Sequence, residues 1–436
     1  MSDVTYPAEL EVISLAKPVN ATVTVPGSKS ITNRALVLAA LASRETACTL
    51  TGALRSEDTE VMVDCLLKLG FRVESDWERA TISLDQHGSD RLIPAESAEL
   101  FVANSGTTVR FLAAMVSLAP GRYRLDGVKR MRERPIQDLL DALKQLGVEA
   151  VSESGNGCPP IVISGKGWLG SGVRVRGDVS SQFLSGLLLV AGWSHEDTAV
   201  TVDVDGVLVS TPYVELTLSM LEPWIEQVGR AGNTLVVVSN RREPPTTYVI
   251  EPDASSASYF WAAAAITGGR VTVSGLNRAS LQGDVRFVDV LARMGCRVEE
   301  CDAGITVHGG TLRGVDVDMN DISDTVMTLG AVACFADGPT TIRNVAHIRH
   351  KETDRIAALA TELRKFGAEV DERDDGLTIT PRPLTGCAVD TYNDHRMAMS
   401  LALAGLKVPG VVIRNPGCVA KTYPGFWQDL ELLRVL

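Results

Sequence analysis

The chain has 436 residues, which is too long for one ordinary compact core, so we expect two domains. Hydrophobic residues make up 45 % and charged residues 22 %, a composition typical of soluble globular proteins rather than of disordered ones. The formal net charge of −12 argues against general binding to nucleic acids or membranes, so an anionic substrate would need a local cationic pocket.

The first residues, MSDVTYPAEL, carry charges and no apolar stretch, so we expect neither a signal peptide nor a transit peptide, and a cytoplasmic protein. The longest apolar runs are too short to cross a bilayer. Eight scattered cysteines without a C-x-x-C pair indicate reduced thiols, and six histidines without H-x-x-x-H spacing make a metal centre unexpected.

An internal repeat organises the chain. Six times a short strand pattern ends in small polar residues and is followed by an apolar helical run, and those residues cap helix starts well. The six markers are Ser28, Asn104, Ser180, Ser255, Ser323 and Asp394. Their spacings are 76, 76, 75, 68 and 71 residues, so each repeat predicts one α/β unit.

A second predicted helix in each unit ends in a glycine, the usual left-handed cap, before the next strand. These glycines are Gly70, Gly147, Gly229, Gly295 and Gly367. The sixth unit lacks its last strands, which the stretch 10–21 could supply. We therefore predict one domain of three units over 23–245 and a second over 1–22 plus 246–436, with a hinge near 241–245. Two unrelated α/β domains with similar spacing are the alternative.

Basic residues occur at the predicted helix starts, where cations are normally disfavoured and anions bind well. They are Lys29, Arg34, Arg110 and Arg396, and further cations follow in loops: Arg130, Arg134, Lys351, Arg355 and Lys421. Each one alone reads as a solvated surface charge, but their matching positions in the repeats predict a site for two polyanions. The segment 27–30 is not a P-loop, since no Gly directly precedes Lys29.

At these positions the sequence resembles the 5-enolpyruvylshikimate-3-phosphate synthase family, and the resemblance runs through nearly the whole chain. The phrases that carry it are PGSKSITNRAL (26–36), NSGTTVR (104–110), RMRERPI (130–136), SSQF (180–183), VSTPY (209–213), EPDASSASYF (251–260), SDTVMT (323–328), KETDRI (351–356), YNDHRMAM (392–399) and AKTYP (420–424). The resemblance implies a two-domain α/β fold of six βαβαββ repeats, three per domain, arranged as an inside-out α/β barrel.

The resemblance implies transfer of the enolpyruvyl group of phosphoenolpyruvate to the 5-hydroxyl of shikimate 3-phosphate, with no metal or organic cofactor. It assigns the base to Asp324 and the proton donor to Glu352, with Lys29 and His395 as further catalytic residues. Such chemistry requires two carboxylates in different roles. From the residues alone, a helix cap at Asp324 and a salt bridge of Glu352 with Arg355 are the favoured interpretations, and His395 could equally be a packed ring.

The resemblance also implies two sets of binding residues. Those for phosphoenolpyruvate are Lys29, Gly106, Arg134, Gln182, Arg355, Arg396 and Lys421. Those for shikimate 3-phosphate are Ser30, Arg34, Ser180, Ser181, Gln182, Ser210, Tyr213, Asp324, His347 and Lys351. A side chain at Gly106 would intrude on the phosphate of phosphoenolpyruvate. Glyphosate is expected to occupy the same space, so we expect it to inhibit the enzyme.

Two positions depart from the family pattern. Many members place Asn where this chain has His347, and some place Pro where it has Phe111, which leaves the degree of glyphosate sensitivity open. The rival interpretations are a UDP-N-acetylglucosamine enolpyruvyl transferase and a non-catalytic anion-binding protein of the same fold. We expect small anionic substrates as the partners, with neither nucleic acid nor membrane, and a monomer.

Overall fold

A computed structural model describes residues 5–194 and 198–435. Two compact units divide the chain: an N-terminal domain, Gly27–Ile250, and a C-terminal domain that joins the segment ending at Pro26 to the segment beginning at Glu251. Both boundaries lie a few residues after the predicted ones. Within the described residues, no helix has the length and apolar character needed to cross a membrane.

The chain begins with two strands of the C-terminal domain, β1 (Glu9–Val12) and β2 (Asn20–Val23). The N-terminal domain then contains α1 (Lys29–Ala42), β3 (Cys48–Thr51), α2 (Glu57–Lys68), β4 (Val73–Asp76), β5 (Thr81–Leu84), β6 (Ser97–Phe101), α3 (Gly106–Val116), β7 (Gly121–Asp126), α4 (Gln137–Gln145), β8 (Glu149–Ser152), β9 (Ile161–Gly165), β10 (Gly172–Arg176), α5 (Ser181–Ala191), β11 (Ala199–Asp205), α6 (Thr211–Leu221), β12 (Ile225–Ala231), β13 (Thr234–Arg241) and β14 (Thr247–Val249). A 3₁₀-helix, Lys129–Glu133, precedes α4.

The C-terminal domain continues with α7 (Ala254–Thr267), β15 (Arg270–Ser274), α8 (Phe287–Arg293), β16 (Arg297–Cys301), β17 (Gly304–His308), β18 (Asp316–Asp318), α9 (Val326–Ala333), β19 (Thr340–Arg343), α10 (Arg355–Lys365), β20 (Glu369–Arg373), β21 (Gly376–Thr380), β22 (Ala388–Val389), α11 (His395–Gly405), β23 (Val411–Arg414) and α12 (Phe426–Val435). Its 3₁₀-helices are Gly283–Arg286, Asn320–Thr325, Ala346–His350 and Pro416–Lys421.

The described residues form six small sheets, and five of them have four strands. In β10-β11-β13-β12, for example, β10 is parallel to β11 and the other two pairings are antiparallel. The sixth sheet, β1-β23-β22, has three strands. There β1 pairs antiparallel with β23, so the N-terminal stretch supplies one strand to the last repeat.

The strands that precede the first helix of each domain, β2 before α1 and β14 before α7, pair with strands of the other domain's first repeat. Strand β14 pairs parallel with β3 of the N-terminal domain, although α7, the helix that follows it, belongs to the C-terminal domain. Strand β2 correspondingly pairs parallel with β15 of the C-terminal domain. The observed boundaries therefore fall after these strands, and β2 does not complete the sixth sheet.

The first helix of each repeat lies in the interior of its domain. Every residue of α3 is buried, as are all residues of α9 and α11. Helices that are apolar on all sides must be surrounded by protein. In each domain three such helices pack on one another, α1 with α3 and α5, and α7 with α9 and α11. This places helix starts of the same domain side by side.

The caps of these helices match the predicted markers at Ser28, Ser180 and Asp394, whose side chains accept hydrogen bonds from the first turn. At α3 and α7 the caps are instead Ser105 and Asp253, because their side chains reach the free N–H groups. Ser323 lies inside a 3₁₀-helix before α9, so it caps no α-helix.

The predicted helix-ending glycines Gly70, Gly147, Gly295 and Gly367 all have φ between 82° and 112°. In that left-handed region only glycine is free of strain. The prediction for Gly229 is wrong: α6 ends at Leu221 and Gly229 lies within β12.

Candidate active site

The helix starts of the N-terminal domain are joined by side-chain hydrogen bonds. Nδ2 of Asn33 on α1 donates to Oγ1 of Thr107 on α3 over 2.7 Å. Nη1 of Arg110 on α3 donates to Oε1 of Gln182 on α5 over 3.0 Å. The three N-termini therefore lie at the same end of the helix group, where their free N–H groups and dipoles favour an anion.

Arg34 is the buried cation of this cluster, with 1 % of its surface exposed. Its guanidinium donates to Oγ1 of Thr217 at 2.8 Å, to Oγ of Ser185 at 3.1 Å and to the carbonyl of Tyr213 at 3.2 Å. It also lies over the ring of Phe111. Burial lowers the pKa of Arg34 to about 10. Among the described residues it forms no ion pair, so an anion would compensate its charge.

Lys29 opens α1 directly after its cap Ser28. Its Nζ lies 3.3 Å from Oδ2 of Asp58, a buried carboxylate near the start of α2, and the lysine side chain is 14 % exposed. The carboxylate fixes the direction of a flexible side chain. Lys29 can thus offer a compact positive charge to a bound anion.

Gly106 begins α3 and lies against two guanidinium groups. A methyl group placed on its Cα would lie 2.6 Å from Nη2 of Arg134 and 2.8 Å from Nη1 of Arg110. Arg134 is buried and donates to the carbonyl of Asn104 over 2.9 Å. Arg130, its neighbour in the sequence motif, forms a surface ion pair instead.

The remaining predicted residues of this domain also lie at helix starts. Ser180 caps α5 and accepts from the backbone N–H of Gln182, and Ser181 is buried at the first position of that helix. Ser210 caps α6 with a left-handed φ of 52°. The carbonyl of Ser30 accepts from Arg34 over 2.9 Å. The N-terminal part of the predicted site is therefore one cluster.

Arg355 is the centre of a second cluster, in the C-terminal domain. Its buried guanidinium lies 3.2 Å from Oδ1 of Asp324, 2.9 Å from Oε2 of Glu352 and 2.8 Å from Oδ2 of Asp394. Burial alone would lower the pKa of Arg355, but the three carboxylates outweigh it and raise that pKa above its usual range. One cation therefore holds both predicted catalytic carboxylates.

Arg396 extends this cluster from the first turn of α11. Its Nη2 donates to Oδ2 of Asp324 over 2.7 Å, and its backbone N–H donates to Oδ1 of Asp394 over 2.9 Å. Asp394 thus caps α11 and binds Arg355 at once. His395 is 1 % exposed, with Nδ1 3.7 Å from Oδ1 of Asp394. This burial matches the packed-ring interpretation.

Glu352 lies between two cations, because Nζ of Lys421 is 4.0 Å from its other carboxylate oxygen. The expected salt bridge of Glu352 with Arg355 is present, whereas Asp324 caps no helix and uses both oxygens on arginines. Lys351 directly follows the 3₁₀-helix Ala346–His350. The C-terminal residues of the predicted site are therefore contiguous as well.

His347 is 7 % exposed, and its Nε2 lies 3.0 Å from Oγ of Ser323. Burial, with the nearby charge of Lys351, lowers the pKa of His347 to about 3. The ring is therefore neutral at physiological pH. It can hydrogen-bond as an amide would, which fits a position where many members of the resembled family carry Asn.

Two carboxylates of these clusters were not predicted as site residues from the sequence. Asp394 was considered only as a helix cap, although its place in YNDHRMAM beside Arg396 was a usable signal. Asp58 has no motif of its own and looks like an ordinary acidic residue in a first helical turn. Its contact with Lys29 depends on tertiary structure.

The chain is similar to known proteins over most of its length. A sequence model of the family described as EPSP synthase (3-phosphoshikimate 1-carboxyvinyltransferase) matches residues 13–430. The chain is 47 % identical over 428 residues to the 3-phosphoshikimate 1-carboxyvinyltransferase of Nostoc punctiforme, covering 97 % of this chain and 99 % of the relative. It is 46 % identical to that of Paraburkholderia phytofirmans, covering 94 % and 96 %.

Solved structures show the same fold. The EPSP synthase of Acinetobacter baumannii superposes with a TM-score of 0.80 at 25 % identity, covering 98 % of both chains. The enolpyruvyl transferase NikO of Streptomyces tendae, at 20 % identity and a TM-score of 0.73 over 98 % and 96 % of the chains, shares the fold. The predicted two-domain enolpyruvyl transferase fold is confirmed.

Proposed function

The chain belongs to the EPSP synthase family, and from that premise we propose how its two clusters perform the family's reaction, 3-phosphoshikimate 1-carboxyvinyl transfer. The enolpyruvyl group of phosphoenolpyruvate passes to the 5-hydroxyl of shikimate 3-phosphate, and phosphate is released. The reaction belongs to the shikimate pathway of aromatic amino-acid biosynthesis. The observation that carries the proposal is the contact of Arg355 with both Asp324 and Glu352.

Each of the two substrates has its own set of binding residues. Shikimate 3-phosphate is held by the buried guanidinium of Arg34 and the hydroxyls of Ser180, Ser181 and Ser210, with further contacts from Ser30, Gln182, Tyr213, Asp324, His347 and Lys351. Arg34 is suited to this because its protein partners are neutral, so a phosphate would supply the missing negative charge. Phosphoenolpyruvate is held by Lys29, Gly106, Arg134, Gln182, Arg355, Arg396 and Lys421.

In the addition step, Asp324 takes the proton of the 5-hydroxyl while that oxygen bonds to C2 of phosphoenolpyruvate. Glu352 gives a proton to the methylene carbon C3, which becomes a methyl group. The product is a tetrahedral adduct that carries both the phosphate and the carboxylate. The cations around Glu352 hold these anionic groups in reach, which is electrostatic catalysis by fixed charges.

In the elimination step, the Glu352 carboxylate takes a proton back from the methyl group. The bond between C2 and the phosphate oxygen breaks, the double bond returns, and phosphate leaves with the proton that Asp324 took from the hydroxyl. Lys29 neutralises the departing charge with an ammonium that Asp58 orients. His395 assists the movement of charge or protons from its buried position next to Arg396 in α11.

A phosphate-release assay tests the proposed function. We expect release from phosphoenolpyruvate to require shikimate 3-phosphate and to be absent with UDP-N-acetylglucosamine. Phosphate release with the nucleotide sugar but not with shikimate 3-phosphate would favour the rival enzyme. If no phosphate is released with either acceptor, a non-catalytic protein would be favoured. The expected monomer and cytoplasmic location belong to the proposal as well, and light scattering on the purified chain tests the first of them.

A further inference from the structure

The loop 390–394, which joins β22 to α11, has an uncommon backbone. Tyr392 and Asn393 follow each other with φ of 54° and 55°, and neither is glycine. Asparagine tolerates left-handed backbone, but a bulky residue such as Tyr392 does not, so neighbouring contacts must hold it. The loop ends at Asp394, the carboxylate that contacts Arg355 and caps the helix of Arg396.

Glu362 on α10 makes those contacts. Its side chain is fully buried. Oε2 accepts from the backbone N–H of Asp390 over 3.0 Å, and Oε1 accepts from the hydroxyl of Tyr392 over 2.7 Å. Lys365 lies 2.8 Å from the same carboxylate and also donates to Asp390 over 2.6 Å. The carboxylate therefore binds the beginning and the middle of the loop.

The same helix also binds the end of the loop. Arg355 precedes Glu362 by seven residues, about two helical turns, so the two side chains share one face of α10. Arg355 contacts Asp394 over 2.8 Å, while Glu362 holds Asp390 and Tyr392. Helix α10 thus contacts the loop through Arg355 and through Glu362, and these contacts fix the position of Asp394.

We propose that Glu362 and Tyr392 are positioning residues for phosphoenolpyruvate: they hold the loop 390–394 so that Asp394 keeps Arg355 and Arg396 in their binding geometry. This rests on the roles proposed above for the two arginines. Neither positioning residue is among the site residues implied by the family motifs. Their effect reaches the ligand only through Asp394.

Tyr392 offers the cleaner substitution. Burial and its hydrogen bond to Glu362 raise the pKa of Tyr392 to about 12, so the hydroxyl stays protonated and donates at neutral pH. Tyr392→Phe therefore removes one donor and leaves the ring and every charge in place. Glu362→Gln is the stronger change, because an amide can accept from only one of the two loop donors and loses its attraction for Lys365.

The test measures the KM for each substrate, kcat and the melting temperature of wild type, Tyr392→Phe and Glu362→Gln. With one hydrogen bond lost, we expect Tyr392→Phe to raise the KM for phosphoenolpyruvate about fivefold. The KM for shikimate 3-phosphate should stay within about twofold, and Glu362→Gln should have the larger effect. Tyr123→Phe is the control: it also removes a 2.7 Å hydrogen bond of a tyrosine hydroxyl, to the Ala95 carbonyl in the other domain, although Tyr123 is fully buried and Tyr392 is 41 % exposed.

The outcomes separate the possible roles. A purely structural role would lower the melting temperature of Tyr392→Phe, as in Tyr123→Phe, and leave both KM values unchanged, which would overturn the inference. Equal rises in both KM values would overturn it too. Arg396→Lys in the same assay checks the premise: if it fails to raise the KM for phosphoenolpyruvate, the proposed role of that arginine fails. If it raises that KM and Tyr392→Phe does not, only the positioning role fails.

Discussion

Nη2 of Arg396 lies 2.7 Å from Oδ2 of Asp324, and the other oxygen of the same carboxylate lies 3.2 Å from Arg355. The proposed base is thus held between two guanidinium groups that are also proposed to bind phosphoenolpyruvate. A ligand carboxylate at this place would meet the same two guanidinium groups. Base and electrophile would then be positioned by the same pair of cations.

Replacing Arg396 by Lys tests this arrangement. Lysine keeps the charge but loses the planar fork, so one charge-assisted hydrogen bond to Asp324 or to the ligand is lost. We expect the KM for phosphoenolpyruvate to rise about tenfold or more, as judged by initial-rate kinetics. The control is Arg382→Lys, an exposed arginine paired with Glu369, which should leave the kinetics unchanged. Equal behaviour of the two variants would contradict the proposed role of Arg396.

Arg34 should determine affinity for shikimate 3-phosphate. Arg34→Lys withdraws the bidentate donor from a buried position, so we expect the KM for that substrate to rise about tenfold or more. Because a ligand stabilises the state that binds it, shikimate 3-phosphate should raise the melting temperature of the wild type more than that of the variant. Arg230→Lys, at a surface pair with Glu215, is the control. An undiminished thermal shift in Arg34→Lys would contradict the assignment.

Gly106→Ala should weaken both phosphoenolpyruvate and glyphosate. Its methyl group would meet Nη2 of Arg134 at 2.6 Å, so that guanidinium must move and the space at the start of α3 shrinks. We expect wild-type activity to be inhibited by glyphosate and the variant to be several-fold less sensitive. Gly229→Ala is the control, because nothing lies within 4 Å of its added methyl group. A glyphosate-insensitive wild type would refute the prediction.

His347 should make stability depend on pH. Its pKa is about 3 in the folded protein and about 6.5 in an unfolded chain, so between these values the unfolded state binds more protons. The free energy of unfolding should therefore fall as pH drops below about 6.5, by at most about 1.4 kcal/mol per pH unit from this residue. In urea titrations from pH 7 to pH 4, the free energy of unfolding should fall less for His347→Asn than for wild type. His87→Asn, at an exposed position, should not, and equal slopes for wild type and His347→Asn would refute the assignment.

Local chemistry explains which features the sequence revealed. Ser28, Ser180 and Asp394 were predictable as caps, because a cap depends on its own helix turn. The exchange of β2 and β14 was not, since a three- or four-residue strand carries too little pattern to specify a distant partner. The second role of Asp394 was hidden for the same reason: its contact with Arg355 spans 39 residues of sequence.

If Asp324 and Glu352 move the protons of the reaction, replacing either one should slow a single turnover. A single-turnover experiment measures that rate. Rapid quenching would follow phosphate release from phosphoenolpyruvate with enzyme in excess over shikimate 3-phosphate. We expect one phosphate per shikimate 3-phosphate in wild type and rates lower by about a hundredfold or more in Asp324→Asn and Glu352→Gln. Release at the wild-type rate by either correctly folded variant would contradict this expectation.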